Sequence, residues 1–157
     1  MNPCPCGYLG DPDRACRCSP EQVQRYRGRI SGPLLDRIDM QVQVSRLPPR
    51  HLLNPGQPGE SSACVRARVV ACHALQLRRQ GCSNAALAPE ALLAHCALGG
   101  AENTFLEKAA GALQLSGRSL HRALRVARTV ADLEGADRVT TRHLQEALAN
   151  RTDAAPH

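Results

Sequence analysis

The chain has 157 residues, 20 Lys+Arg against 14 Asp+Glu, and a formal charge of +6. That length suits one domain, or one domain with an appendage, and with Tyr8, Tyr26 and Phe105 as its only aromatics it must pack with alanine and leucine, which favours closely packed helices over a β-sandwich. No apolar run approaches the ~20 residues that span a bilayer and no basic, apolar, small-residue signal opens the sequence, so secreted and membrane-spanning classes are weak and a cytoplasmic setting is the default expectation.

In chain order, residues 1–18 are rich in Cys, Pro, Gly and Asp and carry no helical period. Ser19-Pro20-Glu21-Gln22 then reads as a helix start: Ser19 can cap, Pro20 suits the first helical position, and Gln22 completes a capping-box spacing. This helix is expected to run to about Arg29. Gly32-Pro33 opens a second short helix, Leu34 to Ile38. Met40 to Val44 alternates apolar and polar residues and predicts one short strand. Residues 46–60 hold four of the eleven prolines and two glycines, which reads as a linker and a domain boundary.

Beyond the linker the pattern is helical. One helix is expected over Ser62–Arg79, with Val65, Val69, Cys72 and Leu75–Gln76 on its buried side. A short helix follows Pro89 through Leu92, Leu93 and Cys96, and another covers about Glu102–Leu113. The strongest runs from about Gly117 to Leu133, where Leu120, Leu124, Ala127 and Ala131 form one apolar stripe. Thr140-Thr141 starts the last helix, Arg142–Ala149, and residues 151–157 are a polar tail. The fold expected is therefore mainly α. A Cys-rich segment with one strand occupies residues 1–45, the linker 46–60, and a helical bundle 61–150.

Eight cysteines fall in two sets. Cys64, Cys72, Cys82 and Cys96 lie in alanine-rich segments and read as small buried apolar residues. Cys4, Cys6, Cys16 and Cys18 crowd the first 18 residues as CxC-x9-CxC. A loop containing Gly7, Gly10, Pro12 and Asp13 can double back and bring the two pairs together. Four thiolates close the tetrahedral shell of a structural zinc and leave no position for water, and with no secretory signal a metal is favoured over disulfides. Reduced thiols or a redox pair are the alternative. Four thiolates and one dication sum to −2, which would lower the chain charge from +6 to +4; Arg14 and Arg17 stand where they could offset that negative site.

Nearly all the positive charge is arginine, Lys108 being the single lysine. Arginine's planar fork suits phosphate; codon usage in a GC-rich genome gives the same composition. The scarcity of aromatics argues against a base-stacking surface. Arg37 sits between Asp36 and Asp39, as a guanidinium positioned for a phosphate or as an ordinary surface ion pair, which spacing by itself favours. Arg118, Arg122, Arg125 and Arg128 recur at spacings of 4, 3 and 3, forming a basic stripe along one helix, either a phosphate-facing row or a solvated face. Arg118 falls in that helix's first turn, where backbone N–H groups favour phosphate. His121 and His143 are unclustered and read as structural. No GxxxxGK phosphate loop, no HExxH and no Ser/His/Asp order is present.

Asn2-Pro3-Cys4-Pro5-Cys6-Gly7-Tyr8, Cys16-Arg17-Cys18 and Ile30-Ser31-Gly32-Pro33-Leu34-Leu35-Asp36-Arg37-Ile38-Asp39 resemble the magnesium-chelatase-like AAA+ ATPases of the YifB/ComM type. The likeness continues through Gly59-Glu60-Ser61-Ser62 and the run from Leu115 to Leu133, so it spans nearly the whole chain. The family protein is longer, with a Lon-protease-like domain and the ATPase core ahead of the part matched here. The resemblance therefore implies the end of an AAA+ core followed by a helical lid, from a truncated reading frame or a fragment that lacks the phosphate loop and Walker B acid. It implies Asn2 as sensor 1, orienting the attacking water, Arg37 as an arginine finger directed at a neighbouring subunit's γ-phosphate, and Arg118 as sensor 2. It also implies ATP with magnesium in the full-length protein, a hexamer, and branched or single-stranded DNA as substrate during recombination in natural transformation. A finger supplied in trans is worth ~10³–10⁵ in rate. Two other readings stand beside this one: a zinc-stapled module that binds DNA or a protein by itself, and a non-functional remnant of a broken gene.

Overall fold

The computed structural model describes residues 1–44, 47 and 59–151. The expected linker 46–60 and tail 151–157 therefore fall outside the described residues, apart from Leu47, Gly59, Glu60 and Arg151. The fold is mainly helical, as the alanine and leucine content requires. It divides into two compact units, one built on Met1–Ile38 and the other on Asp39–Val42 with residues 59–151.

In the first unit, helix α1 (Pro20–Arg27) begins as its residues dictate. The Ser19 hydroxyl accepts from the Gln22 N–H at 3.3 Å, and the Gln22 side chain accepts from the Ser19 N–H at 3.0 Å. The helix ends before Arg29 because Gly28 closes on the Gln24 carbonyl and the next N–H groups turn back to Tyr26 and Arg27. Helix α2 (Gly32–Leu35) starts on Ser31 with Pro33 in its first turn and is shorter than expected. Three-residue turns follow it, with the Arg37 N–H on Leu34 and the Ile38 N–H on Leu35. Among residues 1–38 only Cys4 is buried, so these residues form no hydrophobic core among themselves.

The expected strand at Met40–Val44 does not form. Alternation marks a strand only where a second strand offers a ladder, and no strand occurs among the described residues. Val42 and Val44 stay exposed, and the Gln41 N–H instead donates to the Asn150 carbonyl.

In the second unit, α3 (Ser62–Gln80) is followed by a 3₁₀ turn at Asn84–Ala86 and then α4 (Pro89–Cys96), α5 (Gly100–Ala112), α6 (Gly117–Leu133) and α7 (Thr141–Ala149). Helix α6 is the hub against which α3, α4, α7 and the 3₁₀ turn pack, while α5 packs on α7. The reason lies in its sequence. Ala123, Ala127 and Ala131 are small enough to let neighbouring helices approach, and Leu124 between them is fully buried. Leu92, Leu106, Val139 and Leu144 close over this surface, each contributing about 1.5–3 kcal/mol by burial. The Val139 N–H bonds the Cys96 carbonyl at 2.9 Å and satisfies the C-terminal end of α4. His143 is buried and structural: its Nδ1 accepts from the Thr140 N–H at 3.0 Å, capping α7.

Two packing expectations need correction. Val65 and Val69 are exposed, since residues 62–71 of α3 all face solvent and its buried residues, Cys72 and Gln76, lie in its second half. The cysteines outside the N-terminal cluster are not uniformly buried either: Cys72 and Cys96 are, Cys82 is half-buried, and Cys64 is exposed on the uncovered half of α3. Burial pushes the Cys96 thiol up to about 11, which leaves it inert.

Candidate functional site

The loop between the two CxC pairs doubles back. The Gly7 N–H bonds the Cys4 carbonyl at 3.0 Å, and Gly7 and Gly10 both adopt positive φ (83° and 82°), a conformation that a side chain would disfavour. Asp11 then holds the return, its carboxylate accepting from the N–H groups of Asp13 at 2.8 Å and Arg14 at 3.0 Å. Arg14 does not face the sulfurs: its guanidinium lies over the Tyr8 ring, 4.2 Å from the centroid, and donates to the Tyr8 hydroxyl. From α1, Arg27 Nε donates to the Pro3 carbonyl at 3.2 Å and ties the helix to the first cysteine pair.

This arrangement brings all four sulfurs within 4.8 Å of one another. Cys4 and Cys6 are 3.4 Å apart, and Cys16 lies 3.6 Å from each. These separations are far beyond a disulfide bond of about 2.05 Å, and all four are free thiols. They are close to the tetrahedral edge of about 3.8 Å that Zn–S bonds of about 2.3 Å would give.

The surroundings favour thiolates on the first pair. Backbone N–H groups of Arg17 and Tyr8 hold the Cys6 thiol down at about 6. Burial and Cys6 act to raise Cys4, but the N–H groups of Leu9 and Gly7, together with Cys16, outweigh them and lower it. The Cys18 N–H favours a Cys16 thiolate, yet burial and the adjacent sulfurs of Cys6 and Cys4 prevail and push Cys16 up to about 12. Cys18 is raised as well, burial and Cys6 overriding a hydrogen bond from the Cys6 backbone. Four negative sulfurs cannot coexist without a cation, so two keep their protons. A dication that displaced them would satisfy the whole set, and the donors fit a soft, four-coordinate metal.

Asn2, next to this turn, is exposed; a methyl group built on Gly7 would stand 3.6 Å from its Nδ2. Arg37 is exposed in the turn after α2, in the first unit. Arg118 is exposed in the first turn of α6, in the second unit, where the Ser116 hydroxyl caps by accepting from the Ser119 N–H at 3.1 Å.

The four arginines of α6 do not share one environment. Steps of 4, 3 and 3 residues at 100° each turn the row by about 80° from Arg118 to Arg128, so it winds from solvent into the core. Arg122 donates to Asp39 at 2.6 Å. Asp39 is thus engaged by α6, a partner that local spacing did not suggest. Arg125 is half-buried, donates to the Leu87 carbonyl at 2.9 Å and keeps a buried Nε with no partner. Arg128 is fully buried, against the expectation of a surface stripe. With Asp132, Arg79 and Asn84 it forms a buried polar network. The signal was partial: Arg128 lies one turn from Leu124 and from Asp132, at the edge of the apolar stripe and not on it.

No helix among the described residues is long and apolar enough to cross a membrane. The family described as magnesium chelatase, subunit ChlI, matches residues 1–52, and its C-terminal counterpart matches residues 59–151. Competence protein ComM of Haemophilus influenzae is 44% identical over 152 residues, covering 96% of this chain and 29% of that protein. The uncharacterised proteins YifB of Salmonella typhimurium and of Escherichia coli are 44% and 43% identical over the same shares. The chain thus spans less than a third of the length of these curated relatives. With the C-terminal family alone matching more than half of its residues, the chain belongs to the magnesium-chelatase-like family of ComM and YifB.

Proposed function

We propose that this chain works as the C-terminal part of a hexameric, ATP-dependent AAA+ DNA helicase of the ComM type, acting on branched DNA during recombination in natural transformation. In this reading residues 1–45 end the ATPase core, residues 46–60 link it to a lid, and residues 61–150 are the lid. Arg37 is the arginine finger, Arg118 is sensor 2 and Asn2 is sensor 1. ATP and magnesium bind in the full-length protein. Phosphoryl transfer spreads negative charge over the γ-phosphate oxygens, and positioned guanidinium groups stabilise it.

The observation that carries the reading is the exposure of Arg37 and Arg118 while Arg128, in the same helix as Arg118, is drawn wholly into the core. Side chains that must reach a nucleotide need that access. The test is Arg37→Ala in the full-length ATPase. Hydrolysis should fall by ~10³–10⁵ with nucleotide binding nearly intact, and normal turnover would remove the assignment.

Cys4, Cys6, Cys16 and Cys18 hold a structural zinc in this proposal. When bound, the ion closes a four-thiolate shell and supplies the folding energy that residues 1–38, with only Cys4 buried, cannot draw from a core. The same observation favours a second reading, a zinc-stapled module that binds DNA or a protein by itself. That reading expects salt-sensitive DNA binding by this chain with no nucleotide dependence.

A further inference from the structure

The backbone just beyond Arg37 is fastened to the helical unit at two points. Arg122 Nη1 of α6 donates to the Asp39 carboxylate at 2.6 Å. Two residues on, the Gln41 N–H donates at 2.6 Å to the carbonyl of Asn150, the C-cap residue of α7. Arg122 stands one helical turn after Arg118, and residues so spaced are neighbours on one helix face. Arg37 is separated from Asp39 by Ile38 alone, and two residues reach at most about 7 Å. Arg37 lies beyond the end of α2, in a turn of three-residue hydrogen bonds, so no regular helix holds it.

We propose that Asp39 is a positioning residue, clamped by Arg122 so that the backbone behind Arg37 is linked to the helix that carries Arg118. This rests on the reading of Arg37 and Arg118 as nucleotide-facing groups. Placement of a group that stabilises a transition state tolerates little error, and a displacement near 1 Å can cost about 10²-fold. An anchor two residues from the finger restrains the backbone that follows it. Because the Asp39 side chain is more than half exposed, the pair is weak enough to open and re-form during a catalytic cycle.

Two readouts test this. In the present chain, Gln41 amide exchange by NMR should be slowed relative to a free peptide, and Asp39→Asn or Arg122→Gln should each speed it by up to about fivefold, the scale of an exposed pair. The reciprocal variant, Asp39→Arg with Arg122→Asp, should restore protection while the Leu124 amide stays protected throughout as a check on folding. An unprotected Gln41 in the unaltered chain, or no recovery in the reciprocal variant, overturns the clamp. In the full-length ATPase, each single variant should lower kcat with KM unchanged and the reciprocal variant should regain it. Unchanged kcat in the single variants, alongside a strong loss in Arg37→Ala, overturns the positioning role alone. Unchanged turnover in Arg37→Ala overturns the finger assignment on which it rests.

Discussion

Arg128 and Asp132, one turn apart on α6 and both shut off from solvent, form a 2.8 Å ion pair at the centre of the helical unit. Arg128 spends all five of its N–H donors: Nε on Asp132, Nη1 on the carbonyls of His95 and Asp137, Nη2 on Asp132 and the Ala136 carbonyl. One guanidinium thereby joins the end of α4 to the connection between α6 and α7. On the other side of the carboxylate, Arg79 of α3 pairs with Asp132 and Asn84 donates to it at 2.8 Å. Removing the carboxylate leaves a buried cation without its counter-charge. Asp132→Ala should therefore destabilise the helical unit by about 3–5 kcal/mol, read as a lowered urea midpoint. A midpoint near that of the unaltered chain would mean that the network relaxes into solvent.

The same carboxylate makes stability depend on pH. Burial acts to raise the Asp132 pKa, but hydrogen bonds from Arg79 and Asn84 and the charge of Arg128 outweigh it, and the net direction is downward. A group lowered on folding stabilises above its unfolded pKa, about 3.9 for Asp, and loses that contribution as pH falls through the folded value. Asp132→Asn should thus be less stable than the unaltered chain at neutral pH, with the gap narrowing below about pH 4, where the unfolded chain takes up the proton first, and levelling off once the native aspartate is protonated as well. Urea midpoints of both proteins across that range provide the measurement, and a constant gap would contradict the assignment.

Substitutions on the two halves of the helical unit should separate cleanly. Leu124 is completely buried on α6, whereas Val69 is 54% exposed on α3. Leu124→Ala should cost about 2–5 kcal/mol, and Val69→Ser should stay within about 0.5 kcal/mol. Thermal melts of the two variants distinguish this from the arrangement that the apolar spacing of α3 alone suggests, in which both would be damaging.

That contrast shows where sequence reasoning succeeded. The bounds of α6, the Ser19 capping box and the CxC pairing are local: each depends on residues within a few turns, and each was legible. The buried stripe of α6 was legible too, because it lies against several neighbours. The uncovered half of α3 was not, since an apolar period says which face is apolar and not whether anything packs on it. Arg128 was misplaced for a related reason. The His95 carbonyl that it bonds lies 33 residues away in sequence, and Arg79 and Asn84, which share its partner Asp132, are also distant; spacing along one helix does not reveal them. The strand expected at Met40–Val44 failed likewise, for want of a distant partner.

The cysteine cluster yields the most direct chemical prediction. With Cys6 held down at about 6 and Cys16 pushed up to about 12, the metal-free cluster at pH 7 keeps protons on Cys16 and on the likewise raised Cys18. A zinc ion that takes all four sulfurs must displace at least those two protons, because only thiolates ligate. Binding should therefore release protons and tighten as pH rises. Calorimetric titration of zinc into the reduced chain, in buffers of different ionisation enthalpy, measures the number directly. Cys16→Ser should weaken binding and reduce proton release, while the helical unit keeps its thermal transition because its core contains none of the four residues. Zinc uptake with no proton release would mean that the ion is held elsewhere, and an unaltered affinity in Cys16→Ser would mean that the four sulfurs do not act as one shell.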